Sequence, residues 1–290
     1  MKKLSIAIPA SVVSDIPHLR EKTSRIGSIG RTAAIFKVDM IIIYPDNPRV
    51  DQKGDIGLIA KLLSYMETPQ YLRKRLFELS PDLQFAGILP PLRTPHHPLN
   101  RNSRNIKIGE YREGVALSKA RQGLLVDIGV EQPALIKNAE ISLGKRVTVK
   151  VVKAGQPVEA ELADRRDVPI YWGYTVTTER RSLGRMLEGR DFDVTIATSK
   201  FGSPFAGLKE RLIEKLMSVD SVLLVFGAPN VGLNEIAARE GLELNKIADF
   251  VVNMIPCQGT ETVRTEEAVL ASLAIFNVCT DVKEREKGCS

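Results

Sequence analysis

The residues best suited to chemistry sit in three loops rich in glycine and proline: TSKFGSPFAG (198–207), FGAPNVGLNE (226–235) and IPCQGTETVRTE (255–266). Glycine lets the backbone approach a ligand closely. The amides and carbonyls so exposed can recognise an adenine edge or a carboxylate without side chains. None of the loops reads GxGxxG or GxxxxGK[ST], so neither a dinucleotide fingerprint nor a phosphate loop is indicated. Any one of them alone is an ordinary turn; three in succession at one edge of a sheet make a ligand site. A fourth segment, GSIGRTAAIFKVDMIIIY, places Gly30-Arg31-Thr32 at the opening of a short helix ahead of a buried strand. Arginine at a helix start opposes the macrodipole, so Arg31 does not serve helix stability there, although a salt bridge would also account for it. Its rigid donor fork suits a phosphate or a carbonyl oxygen.

Metal chemistry is not expected. Cys257, Cys279 and Cys289 form no CxxC pair and have only His18, His96 and His97 beside them. The odd cysteine count also speaks against a secreted disulfide framework. No side chain stands out as a general base. His96 and His97 have the right titration range, but they lie in a proline-rich junction, where nucleic-acid contact or loop packing suits them better.

The elements that must position these loops follow from hydrophobic periodicity. SIAIP near the N-terminus reads as a first strand. VDMIIIY (38–44), DVTIAT (193–198), VLLVFG (222–227) and IADFVVNMI (247–255) are apolar runs expected of strands covered on both faces. Helical patterns lie between them. Asp55 is expected to cap one, and Thr68-Pro69 to cap and start the next. FAGLKERLIEKLMS, GLNEIAARE and TEEAVLASLAIFNV follow, the last with Thr265 as its cap. Strands alternating with helices predict a parallel α/β sheet, with ligands at the carboxyl ends of its strands.

The stretch 92–168 has a different texture. GVALSK, GLLVDIG, PALIK, KRVTVKVV and PVEAEL are short alternating runs, and five such strands predict a small β-barrel. It holds 14 Lys or Arg against 9 Asp or Glu, so it carries five of the chain's six net positive charges. A solvated β-domain and a nucleic-acid-binding barrel of OB type both fit that pattern. The α/β material on both sides makes the barrel an insertion, giving a discontinuous domain 1–91 and 169–290 interrupted by 92–168. With 290 residues and 43% hydrophobic side chains the chain can build real cores, which excludes collagen-like and disordered classes. No apolar run approaches the roughly 20 residues of a membrane span. The N-terminal apolar run is broken by Pro9, Ser11, Ser14 and Asp15, so a cytoplasmic protein is expected.

At this point the residues resemble a family. SIGRTAAIFKVDMIIIY, VLLVFGAPNVGLNEI and VVNMIPCQGTETVRTEEAVLASLAIF resemble, in order and spacing, the three motifs of the SPOUT (SpoU–TrmD) RNA methyltransferases. GILPPLRTPHHPLN (87–100) is similar to a signature of the archaeal and eukaryotic branch with an inserted OB-like barrel. The resemblance implies an α/β domain with a C-terminal trefoil knot that binds S-adenosylmethionine, working as a homodimer on RNA, without metal. Its cofactor positions would be Thr198, Gly227, Asn230, Gly232, Ile255, Pro256, Gly259, Thr260 and Val263. Arg31 and Arg264 would serve the transfer. RNA would meet Arg93, His96, His97, Arg146 and Lys150.

The chain departs from the ribose-methylating pattern. Ala228-Pro229-Asn230 stands where that type has Asn-Glu-Gly, and Arg264 replaces the third-motif asparagine. Both departures favour a base nitrogen over the ribose 2′-oxygen; the resemblance to the archaeal and eukaryotic branch implies uridine N3, with ribosomal RNA as the expected substrate. A non-catalytic RNA-binding or ribosome-assembly protein on the same scaffold is the competing reading, and a metabolic nucleotide-binding enzyme a third.

Overall fold

A computed structural model describes residues 3–287, with side chains described to residue 279; Cys289 lies outside the described residues. The strands are β1 (Lys3–Pro9), β2 (Met40–Tyr44), β3 (Tyr111–Ala120), β4 (Gly123–Asp127), β5 (Ala134–Ile136), β6 (Arg146–Lys153), β7 (Glu159–Ala163), β8 (Thr175–Thr178), β9 (Val194–Pro204), β10 (Ser221–Val225) and β11 (Phe250–Asn253). The helices are α1 (Leu19–Ile35), α2 (Lys53–Glu67), α3 (Gln70–Leu76), α4 (Leu183–Glu188), α5 (Phe205–Met217), α6 (Leu233–Arg239), α7 (Leu244–Ile247) and α8 (Thr265–Lys287). Among the described residues, no helix is long and apolar enough to cross a membrane.

The chain divides into two compact units. The first, residues 1–64, 82–90 and 174–290, holds a six-stranded parallel sheet in the order β11-β9-β10-β1-β2-β8. β1 and β10 lie at its centre, and their apolar runs are buried almost throughout, as strands covered on both faces must be. Tyr44, Leu223, Val225, Leu233 and Ile236 belong to one core cluster there, with Leu183 and Met186 of α4.

The second unit, residues 65–81 and 91–173, holds a closed five-stranded barrel in the order β3-β4-β5-β7-β6. β3 closes on β6 antiparallel, and β5 pairs with β7 parallel. The inward Val147, Val149 and Val151 of β6 join Leu124, Val126 and Ile136 in its core, as their alternation predicts. This unit also takes in residues 65–81, 91 and 169–173, which the sequence reading placed in the α/β part. Among the described residues, the only helical segments of the stretch 92–168 are short 3₁₀ turns, one before β3 (Ser103–Asn105) and one after β7 (Arg165–Asp167).

Several local expectations need correction. The α2 helix starts at Lys53, whose amide bonds Asp51 Oδ1 at 3.0 Å; Asp55 lies inside the first turn and faces Lys22 at 3.4 Å. Pro69, not Thr68, occupies the cap of α3, with no side-chain capping bond. The Thr265 hydroxyl is used elsewhere. Arg264 takes the cap of α8, its carbonyl receiving the Ala268 amide at 2.9 Å while Glu267 reaches back to its N–H at 2.9 Å. The largest difference concerns Gly30-Arg31-Thr32, which lies near the end of the 17-residue α1, not at a helix opening. Gly27 and Gly30 are buried in this helix. At Gly27 a Cβ would stand 2.9 Å from Pro90 Cδ, so the close approach of residues 89–90 requires glycine there. Arg31 therefore sits toward the helix end that favours a cation, and the dipole argument for a functional role falls away.

Gly123 opens β4 at φ +147°, and a Cβ would fall 2.2 Å from the Ile136 carbonyl oxygen. Gly123→Ala should cost about 2 kcal/mol or more in urea unfolding, because the strained backbone and the clash act together. Gly54→Ala, in open space within α2, should be neutral or stabilise by about 0.5 kcal/mol or more. Equal midpoints for the two variants would contradict this account of the hairpin.

Candidate active site

The site is built at the carboxyl ends of β9, β10 and β11. Three consecutive carbonyls leave β10 there, and each receives a hydroxyl from a different element. Thr198 of β9 donates to Val225 O at 2.9 Å. Tyr44 of β2 donates to Phe226 O at 2.6 Å, and burial raises its phenol well above the usual range, so it stays a donor. Thr265 of α8 donates to Gly227 O at 3.0 Å. These bonds hold the 226–232 loop between the other two.

The three loops enclose a cavity of about 280 Å³. Of the positions that the resemblance implied for a cofactor, Thr198, Gly227, Asn230, Gly232, Ile255 and Val263 stand in its wall. Pro256, Gly259 and Thr260 do not. Their loop folds back on itself, with Gln258 Nε2 donating to the carbonyls of Thr260 at 2.9 Å and Glu261 at 3.1 Å. Arg31 and Arg264 also lie outside the wall. Sequence reasoning missed Lys200, Phe201, Glu235, Ala268 and Ser272, which are in it. Lys200 and Phe201 were within a quoted loop, but the strand β9 runs through them to Pro204. Lys200 and Glu235 are the charged side chains of the described wall. Lys200 Nζ lies 5.2 Å from the Phe201 ring centroid, and Glu235 bonds Arg239 at 2.8 Å. Phe201 is 76% exposed, unusual for a phenylalanine beside a cavity. Backbone polar groups beside a partly apolar wall suit a small polar molecule with a flat ring. Among the described residues, no cluster of His, Cys, Asp and Glu could hold a metal ion.

Within the second unit, several expected RNA contacts are engaged in an internal network. Glu67 is buried at the end of α2. Its carboxylate meets Arg146 at 2.5 Å, Arg165 at 3.0 Å and His96 Nε2 at 3.2 Å. Its carbonyl accepts from His96 Nε2 at 2.8 Å and His97 Nε2 at 2.7 Å. Arg146 also bonds Glu113, whose other oxygen takes Trp172 Nε1 and Thr148 Oγ1. His96 is fully buried, so its side chain is a core group rather than an RNA contact. Arg146 is likewise committed to two carboxylates. Arg93 is exposed with φ +51°, and Lys150 lies 5.7 Å from the Tyr111 ring, so these two stay open to solvent contacts.

Burial works against the Glu67 carboxylate, but the His96 hydrogen bond and the two guanidiniums outweigh it and hold the pKa at about 2. Burial, with His96 beside it, lowers His97 to about 4 from 6.5. The neutral His97 form is thus favoured by folding. Its contribution is full above pH 6.5 and lost as pH falls through about 4. Urea midpoints should therefore drop across that window by an amount equivalent to roughly 2–3 kcal/mol. His97→Gln, whose amide can still donate to the Glu67 carbonyl, should flatten the drop; an unchanged slope would show that another group titrates.

A family model described as "Putative RNA methyltransferase" matches residues 3–276. An uncharacterized protein of Halobacterium salinarum is 35% identical, covering 93% of this chain and 96% of its own. The mouse 28S rRNA (uridine-N(3))-methyltransferase is 34% identical over 93% of this chain and 75% of its own. The human protein of that name is 33% identical, over 93% and 77%. On a family match that spans nearly its whole length, the chain belongs to the SPOUT-class RNA methyltransferases.

Proposed function

We propose that this enzyme uses S-adenosylmethionine to methylate ribosomal RNA, at uridine N3 rather than at a ribose 2′-oxygen. The observation that carries the cofactor reading is the backbone-lined cavity at the ends of β9, β10 and β11. Its wall offers loop residues from three strand ends, small residues on α8 and a buried hydroxyl, all suited to a nucleoside with a polar tail. The names of the mouse and human relatives support ribosomal RNA and uridine N3. The absence of Asn-Glu-Gly from the second motif supports a base over a ribose target.

When bound, S-adenosylmethionine supplies an electrophilic methyl carbon. The chain's own task is then alignment, which can supply about 7–11 kcal/mol of the barrier. The uracil N3 must also lose its proton to solvent, leaving negative charge shared with the exocyclic O2 and O4 on either side. Lys200, in the cavity wall, is placed to stabilise that charge electrostatically, and the exposed Phe201 ring offers a face on which a base can stack. Arg31 and Arg264 lie outside the wall, so in this reading they act on the RNA or on the site of a second copy. A homodimer accords with the exposed Ile35 on α1 and Leu270 and Val278 on α8, two helices that pack together. The Thr265–Gly227 bond, joining the start of α8 to the end of β10, supports a threaded C-terminal segment, the trefoil knot of the family.

The strand order 1-2-3-5-4 of the barrel, with its parallel third and fifth strands, supports an OB-like insertion over 92–168 that holds RNA through its excess of positive charge. Pro256, Gly259 and Thr260 remain part of the cofactor loop in this reading, Arg93 and Lys150 part of the RNA track, and the cytoplasm the place of action.

Calorimetry with S-adenosylmethionine separates an enzyme from a knotted RNA-binding protein: saturable heat is expected, and none at millimolar ligand contradicts the reading. Arg31→Ala should lower methyl transfer to ribosomal RNA by about 100-fold or more, with cofactor affinity near that of the unaltered protein. Loss of cofactor binding would instead place Arg31 in the cavity's support.

A further inference from the structure

One hydroxyl in the cavity wall has no partner. Ser272 on α8 is 1% exposed, and its Oγ makes no hydrogen bond. It follows Thr265 by seven residues and Ala268 by four, so the three small side chains lie along one face of α8, and all three line the cavity. The Thr265 hydroxyl is taken by Gly227 O. A buried serine in a helix commonly bonds the carbonyl one turn back; Ser272 does not.

An unpartnered buried hydroxyl works against folding, and alanine at this helical position would be the better helix former. The hydroxyl therefore makes sense as a group that a ligand completes. Its surroundings limit what that ligand can be. Phe226, Leu233 and Met254 are buried and apolar, and Ala268 leaves a flat, shallow surface beside them. The charged groups of the wall, Lys200 and Glu235, are exposed on its solvent side. A planar, apolar-faced ring with a hydrogen-bonding edge fits the buried end. An amino-acid tail, with its ammonium and carboxylate, fits the exposed one.

We propose that Ser272 is a specificity-determining residue that hydrogen-bonds the edge of the purine base of the bound nucleoside. This inference rests on the S-adenosylmethionine reading of the cavity. It adds a side-chain contact to recognition otherwise made by backbone, and so favours a base with polar edge atoms over one without them.

The test uses two probes and two variants. S-adenosylhomocysteine carries both base and amino-acid tail; 5′-methylthioadenosine carries the base without the tail. Ser272→Ala should melt at the same or a higher temperature than the unaltered protein. It should bind both probes about five- to tenfold more weakly, the size of one hydrogen bond, and by the same factor for each. Ser272→Cys, similar in size but a weaker partner, should show a smaller loss in the same direction, and it carries the test if the alanine variant does not fold. Unchanged affinity for both probes would overturn the proposal. So would a loss confined to S-adenosylhomocysteine, which would put Ser272 beside the tail. If the unaltered protein binds neither probe, the cofactor reading itself fails, and the proposal with it.

Discussion

Three successive backbone carbonyls, those of Val225, Phe226 and Gly227, set the geometry of the candidate site. A chain leaving a parallel strand carries polar groups that the sheet no longer pairs, and buried ones must find partners. Here hydroxyls of Thr198, Tyr44 and Thr265 supply them, from β9, β2 and α8. The loop they fix is consequently neither free to collapse onto the sheet nor free to swing into solvent. The loop is also closed on itself, Ala228 and Val231 exchanging backbone bonds at 2.9 and 3.4 Å. Recognition by backbone needs such restraint, because a backbone group cannot change rotamer to follow a ligand.

The two units use charge in opposite ways. In the first, charge in the described cavity wall is limited to Lys200 and Glu235, which matches chemistry driven by alignment with modest electrostatic help. In the second, the positive excess read from the sequence overstates what is available to RNA. Arg146 and Arg165 are bound to Glu67, and Arg112 pairs with Glu110 at 2.8 Å while being almost wholly buried. Breaking a buried pair by removing one partner leaves an uncompensated charge and is expensive. These arginines hold the barrel together, so in the proposed reading only the exposed cations are left to meet RNA.

Much of the fold was legible in the sequence, for identifiable reasons. The central strands are apolar runs too continuous for anything but a doubly covered sheet, and Val147, Val149 and Val151 alternate as a barrel strand must. The glycine loops were legible as a set at the ends of the strands, and six of the nine positions that the resemblance implied for the cofactor share the cavity wall. What escaped depended on partners distant in sequence. Nothing near His96 and His97 announces Glu67, 29 and 30 residues away. That Gly30-Arg31-Thr32 lies near the end of a long helix rather than opening a short one is set partly by Pro90, whose close approach requires Gly27, 63 residues earlier, within it. Thr265 reads as a helix cap because its true partner, Gly227, lies 38 residues earlier. Ser272 resembles any small residue on a buried helix face; only the cavity gives its hydroxyl a meaning.

The central claim, that this cavity delivers a methyl group to a uracil nitrogen of ribosomal RNA, is tested most directly by following the methyl group itself. Ribosomal RNA lacking the modification would be incubated with the protein and S-adenosylmethionine carrying an isotopically labelled methyl group, then digested to nucleosides for mass spectrometry. The account predicts label in 3-methyluridine and none in 2′-O-methylated nucleosides. Label on a ribose, or no label in RNA while the protein binds S-adenosylmethionine, would contradict it.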